Sequence, residues 1–285
     1  MLLTGATGYI ASQLLPVFRE RYELRLVDVR SSNALGQPVD GVELVNLIDD
    51  PDDKLRPHFE GADAIVHLGY YRPPGLGVTG ADKAYLDERP NVDMAERVYR
   101  HALDANVQRV VVASSNHAAD WYEQILHKRG VEVITPEDLP KSDNYYGWAK
   151  IAYEALGFTY ASGAFGRKLP VVQVRIGAPR DINAHDFEAK PAAAYKRDLG
   201  AYISARDIQQ LFVRSIEAER IEDEWDVPFQ IFYGISNNTR AFWSIANARR
   251  LIGYDPEDDS EVRYVADVQR LLISRGEGGR LGPVT

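Results

Sequence analysis

The stretch Leu2-Leu3-Thr4-Gly5-Ala6-Thr7-Gly8-Tyr9-Ile10-Ala11 leaves a chain few folds to choose from. A short apolar run enters a glycine-containing turn, and an apolar-striped helix leaves it. Gly5 permits the tight turn, and Gly8 lets the backbone approach a pyrophosphate seated on the helix N-terminus. Ala11 stands where a third glycine is usual and is small enough for helix to lie on strand. Such a turn alone also serves ordinary strand–helix junctions. The next apolar run, Leu24-Arg25-Leu26-Val27, ends in Asp28, about 20 residues on, where an acid meets a ribose 2′-hydroxyl. Together they predict a dinucleotide site with Gly5, Thr7, Gly8, Tyr9 and Ile10 at the turn and Asp28 at the ribose. Arg30 is placed to meet a 2′-phosphate, but Asp28 repels one, so NAD is expected over NADP.

Composition narrows the partners. The 285 residues carry a net charge of −9, which argues against nucleic acid or an anionic membrane as a general partner. With no cysteine there are no disulfides, thiol nucleophiles or cysteine metal sites. No run reaches the ~18 apolar residues of a membrane span. The first strand begins at Met1, so no signal peptide is expected and the protein reads as cytoplasmic.

Strands and helices alternate, the pattern of an α/β, Rossmann-type doubly wound parallel sheet. Strands are expected at 24–27, 42–45 (ending at Asn46-Leu47), 64–68, 109–113, 170–175 and 229–233. Helices are expected at 9–21, 51–60, 91–105, 145–163, 206–219, 242–252 and 260–274. Residues 70–90, 114–143 and 177–205 read as irregular. Residues 1–176 form the dinucleotide-binding domain in this reading. Residues 177–275 complete the sheet and form a small C-terminal substrate-binding cap, and 276–285 are a mobile tail.

Tyr146-Gly147-Trp148-Ala149-Lys150 carries the chemistry. Residues four apart on a helix share a face, so the Lys150 ammonium is expected to lower the Tyr146 pKa and make the phenol a usable proton acceptor. Tyr145 competes for that inward position. Ala113-Ser114-Ser115 ends a strand whose carboxyl end faces the cofactor crevice, where a serine can hold a reacting oxygen. The six histidines show no metal-ligand spacing, and His67 reads as structural. Asp49, Asp50, Asp52 and Asp53 are interrupted by Pro51 and read as a solvated helix start, so no metal site is expected.

Glycine turn, acid, strand-end serine and Tyr-x-x-x-Lys together resemble the extended short-chain dehydrogenase/reductases, the NAD-dependent epimerase/dehydratase family. That resemblance implies Ser115, Tyr146 and Lys150 as a catalytic triad. It also implies cofactor contacts from Asn46, Leu47, Leu68, Gly69, Ala113 and Ile176, and from Asn91 unless that residue merely caps its helix. Four stretches are similar to the uronate dehydrogenases among the sugar dehydrogenases: 114–117, 174–177, Arg197 with 202–204, and 233–240 before Trp243. The likeness implies Asn116 and His117 on ring hydroxyls, Arg197 on a carboxylate and Ala178 at a serine position. Tyr70-Tyr71-Arg72-Pro73-Pro74 departs from that group and puts Arg72 in the substrate pocket. The expected activity is NAD-dependent oxidation of the anomeric C1 hydroxyl of a sugar or uronic acid to a lactone, with Tyr146 as general base. A nucleotide-sugar epimerase or dehydratase retaining its NAD is one alternative, and a non-catalytic NAD(P) sensor is another. Relatives form helix-bundle dimers, which implies a homo-oligomer here.

Overall fold

Seven short runs, rich in leucine, valine and isoleucine, form the strands of one sheet. They are β1 Leu2–Thr4, β2 Arg25–Asp28, β3 Val42–Leu44, β4 Ala64–His67, β5 Arg109–Ser115, β6 Val171–Ile176 and β7 Phe229–Gly234. All six pairings are parallel, in the order β3-β2-β1-β4-β5-β6-β7. The computed structural model describes residues 1–72, 81–126 and 133–279. Strand β4 is buried along its whole length, as a strand covered on both faces must be.

The helices in chain order are α1 Tyr9–Arg21, α2 Asp52–Phe59, α3 Ala81–Asp104, α4 Trp121–Ile125, α5 Tyr145–Ala161, α6 Ala192–Ala201, α7 Ala205–Glu217, α8 Ala246–Ile252, α9 Ser260–Arg263 and α10 Val265–Leu271. Leu14, Phe18, Leu211 and Phe212 of α1 and α7 pack on one face of the sheet with Leu3 and Val66. Val98, Tyr99 and Tyr153 of α3 and α5 pack on the other with Leu2 and Ile65. The chain leaves β1 toward β2 on one side, while β4 lies on its other side. That switch point opens a crevice at the carboxyl ends of the strands.

Several boundaries differ from expectation. Helix α3 starts at Ala81, not 91, and carries Pro90 inside it. A proline normally ends a helix, but here side chains anchor the chain on both sides of it. Glu88 accepts from Tyr70 Oη at 2.7 Å, and Asn91 clasps the Tyr71 backbone. Residues 73–80 of the expected loop lie outside the described residues, as do 127–132.

The stretch 177–205 holds a 3-10 turn, Ala184–Phe187, and helix α6. Residues 242–245 do not join α8, because Trp243 bridges to Ile134 as extended chain. The helix expected at 260–274 breaks at Tyr264 into α9 and α10. Of the expected mobile tail, residues 276–279 are held: Glu277 N–H donates to Leu272 O, and Arg240 reaches Gly279 O. Among the described residues no helix is long and apolar enough to cross a membrane.

Candidate active site

At the first turn Gly5 has φ +69°, and a Cβ there would lie 2.7 Å from the Gly69 nitrogen and the Leu68 carbonyl carbon. The turn is pressed against the chain leaving β4, and only glycine fits it. Gly8 caps α1 without a side-chain hydrogen bond, and the first turn of α1 holds no acid. An uncapped helix N-terminus beside glycine is what an anionic pyrophosphate requires. Asp28 Oδ2 accepts from both the amide and the hydroxyl of Thr7, at 2.9 and 2.8 Å, and Arg30 Nε donates to the same hydroxyl at 3.2 Å. These residues fit a dinucleotide.

The other expected cofactor residues divide. Leu68 bonds through its amide to Thr4 O, half-buried Ala113 accepts from Lys150 Nζ at its carbonyl, and Ile176 closes β6. Ile10 packs against the core, while Tyr9 is exposed and donates to Pro179 O at 2.9 Å. Asn46 turns its amide onto its own loop, toward Asp49, Ile48 and the Asp49 amide, and Leu47 is buried in the core. Asn91 is no N-cap: it lies buried inside α3.

The carboxyl end of β5 meets the start of α5. Asn144 caps α5 by accepting from Gly147 N–H at 2.9 Å. Gly147 is needed because a Cβ there would collide with Ser142 and the His117 carbonyl. This close approach brings the His117 and Tyr146 rings to 5.5 Å between centroids. Ser115 is near enough to Tyr146 to bear on its phenol, and its hydroxyl accepts from the His117 amide at 3.2 Å. Lys150 Nζ donates to Ala113 O at 2.9 Å and lies 5.6 Å from the Tyr146 ring centroid. Tyr146, rather than Tyr145, is the phenol among these groups; Tyr145 packs at the surface with Tyr85 and Trp148.

The electrostatics depart from the sequence expectation. Burial raises the Tyr146 phenol above its ordinary value; Ser115 opposes that, Glu88 adds to it and Arg72 opposes it. Burial also holds Lys150 down to about 8, with Glu88 and Glu154 pulling it back up. Lys150 Nζ donates to the Ala113 carbonyl and lies nearer the Tyr153 ring, 4.5 Å from its centroid, than the Tyr146 ring, at 5.6 Å.

Of the expected substrate residues, Asn116 is buried and its side-chain Nδ2 has no partner among the described residues. An orphan donor beside Ser115 suits a ligand hydroxyl. His117 is anchored by Asp120 at 2.9 Å, and Asp120 also accepts from Asn144 at 2.7 Å. Arg72 is exposed at the edge of the described residues. Ala178 is buried and bridged to Tyr202. Arg197, expected to fork onto a carboxylate, already does so internally: Nε and Nη2 reach the two Glu123 oxygens at 2.9 and 3.0 Å.

Sequence reasoning missed Tyr70, Glu88, Asp120 and Glu123. Glu154 was also missed; it accepts from Ser114 and pairs with the fully buried Arg175. Only the departure at Tyr70 left a trace in the sequence. Among the described residues no group of histidines and acids could hold a metal.

Residues 1–177 match the model of the NAD dependent epimerase/dehydratase family. The chain belongs to that family. The NAD-dependent glucose-6-phosphate dehydrogenase of Haloferax volcanii is 32% identical over 273 residues, 91% of this chain and 94% of that one. The L-arabinose 1-dehydrogenase (NAD(P)(+)) of the same organism is 28% identical over 267 residues, 90% of this chain and 96% of that one. Among solved structures, a mutated uronate dehydrogenase superposes with a TM-score of 0.70 at 25% identity, covering 94% of this chain and 85% of that one. The family's parallel sheet and glycine turn are therefore those described above, and these relatives are sugar dehydrogenases by name.

Proposed function

We propose that the protein is an NAD-dependent dehydrogenase that oxidises the anomeric hydroxyl of a sugar to the lactone. The observation that supports this most is the juxtaposition of Ser115, Tyr146 and the Lys150 ammonium, 5.6 Å from the Tyr146 ring centroid, with an orphan Asn116 donor next to Ser115. Bound NAD supplies the hydride acceptor, held by the Gly5–Gly8 turn and Asp28. Ser115 holds the C1 oxygen, Tyr146 takes its proton as general base, and Lys150 supplies positive charge that favours the phenolate once a substrate oxygen reorders the hydrogen bonds. Asn116 and His117 meet ring hydroxyls.

The names of the relatives span a sugar phosphate, a neutral pentose and, in the structural neighbour, a uronate. The filled Arg197–Glu123 fork favours the first two, since an incoming carboxylate meets Glu123 rather than an open guanidinium. Incubating the purified protein with NAD and a panel of aldoses, sugar phosphates and uronates should give NADH with at least one aldose or sugar phosphate. Tyr146→Phe should lower kcat by about 10²- to 10⁴-fold, the usual worth of a positioned base. Absence of NADH with every sugar, or turnover of a nucleotide sugar on tightly retained NAD, would replace this reading.

A further inference from the structure

The chemistry above leaves unused a buried carboxylate beside the reacting groups. Glu88, on α3 and 4% exposed, accepts from Tyr70 Oη at 2.7 Å and from Asn91 Nδ2 at 3.2 Å. Asn91 in turn accepts from Tyr71 N–H at 2.7 Å and donates to Tyr71 O at 3.0 Å. The chain leaving β4 is thus tied to α3 at two successive residues. The Tyr70 ring stands edge-on to the Tyr146 ring, 5.5 Å between centroids. Its face lies 5.5 Å from Lys150 Nζ. One phenol therefore touches the base and the lysine, with its hydroxyl on a carboxylate.

We propose that Glu88, acting through Tyr70, is a positioning residue that sets the proton affinities of Tyr146 and Lys150. A phenol donating to a carboxylate has a more electron-rich ring, which holds an ammonium more firmly over its face. Burial and Glu88 push the Tyr70 hydroxyl far above the phenol range, so it stays a donor throughout the working pH range. The proposal takes its catalytic meaning from the dehydrogenase reading, but its electrostatics can be read without turnover.

Other charges face the same pair and are held constant in the test. Around Tyr146 these are Arg72, His117 with Asp120, and Lys150 itself. Around Lys150 they are Glu154 with Arg175 from α5 and β6, the neutral His67 from β4, and the Tyr153 phenol.

Two variants interrupt the same relay, one at the charge and one at the ring hydroxyl. Glu88→Gln removes the negative charge and keeps an acceptor for Tyr70. It should lower the Lys150 pKa below its value of about 8 by about one unit, and lower that of Tyr146 with it. Tyr70→Phe keeps the ring but cuts its hydroxyl link to the carboxylate, so the relayed effect of Glu88 is lost and both values should fall, as in Glu88→Gln. The readout is the pH titration of isotope-labelled lysine side-chain resonances, with Lys150 assigned from a Lys150→Met chain. The acid limb of kcat/KM for NADH formation should follow, moving to lower pH in both Glu88→Gln and Tyr70→Phe. A purely structural role would lower rates and melting temperature without displacing the titration. Unmoved Lys150 titrations in folded Glu88→Gln and Tyr70→Phe proteins overturn the proposal. Should Glu88→Gln fail to fold, Tyr70→Phe decides alone. Displaced titrations in a protein that reduces NAD with no sugar would support Glu88 and reject the dehydrogenase reading.

Discussion

His67 closes a strand whose side chains are all buried, and nothing around it accommodates a positive charge. Its Nδ1 meets Thr4 Oγ1 at 2.7 Å, and its Nε2 has no partner among the described residues. Burial, and then the neighbouring Lys150, push the imidazole pKa from 6.5 down to about 3. Above pH 6.5 the ring is neutral folded or unfolded and costs nothing. As pH falls below that, the unfolded chain takes up a proton that the folded chain refuses, and stability is lost until about pH 3. The slope is ~1.4 kcal/mol per pH unit. Urea denaturation at pH 6.5 and pH 5 should therefore differ by ~2 kcal/mol more in the wild type than in His67→Gln. Equal pH slopes in the two chains would remove this account. The structural reading of this histidine was available from its place at the end of an apolar run. Glu88 offered no such clue, because a single acid in a polar stretch looks like any solvated residue until the fold buries it.

The elements around α4 and α6 illustrate what spacing does and does not convey. Arg197 could be singled out by its type and neighbourhood, but its partner comes from α4, 74 residues away in the chain. The fork is closed on Glu123, with Asp198 at 3.4 Å from Nη1 and the Trp243 ring beneath the guanidinium at 5.7 Å. Helix α3 was misjudged for a related reason: Pro90 is a local stop signal, and the contacts that override it join residues on either side of the proline to the chain leaving β4. By contrast, α1 and α5 were legible because their signals are local, a glycine turn for one and the Tyr146–Lys150 spacing for the other. The closed fork makes a specificity prediction. Glu123→Gln cannot keep the two-oxygen pairing, so Arg197 becomes available to a substrate carboxylate. The ratio of kcat/KM for a uronate to that for the matching neutral aldose should rise by about tenfold, a single charge-assisted hydrogen bond's worth. Steady-state kinetics on the two sugars check it, and a wild-type enzyme that already favours the uronate would contradict it.

At the scale of the whole molecule, the alternation of strands and helices was enough to give a parallel sheet with covered faces, since that pattern has few solutions. The buried polar work inside it was invisible. Arg175, fully buried on β6, pairs with Glu154 of α5 and donates to Tyr233 of β7 at 2.8 Å. This network reaches Ser114, next to Ser115, and so fixes α5 against the strands that carry the reacting groups. Helices α3 and α5 thus present Glu88, Asn91, Tyr146 and Lys150 to the site from one side. On the other they present Tyr85 and Leu86, exposed, with the Tyr85 ring 5.3 Å from Trp148 and 6.0 Å from Tyr145. The homo-oligomer expected from the sequence resemblance predicts that a second copy of the chain covers this aromatic face. Burying a leucine and several rings per chain gives association its main driving force, while the net charge of −9 disfavours nonspecific contact elsewhere. Light scattering at micromolar concentration should then report about twice the chain mass. Leu86→Glu, at a position already exposed and therefore harmless to the isolated fold, should return the mass to one chain. Because the same two helices carry the base and its neighbours, the dissociated variant should also lose NADH formation in proportion to the monomer present. A wild-type chain that scatters as a monomer at these concentrations rules the pairing out.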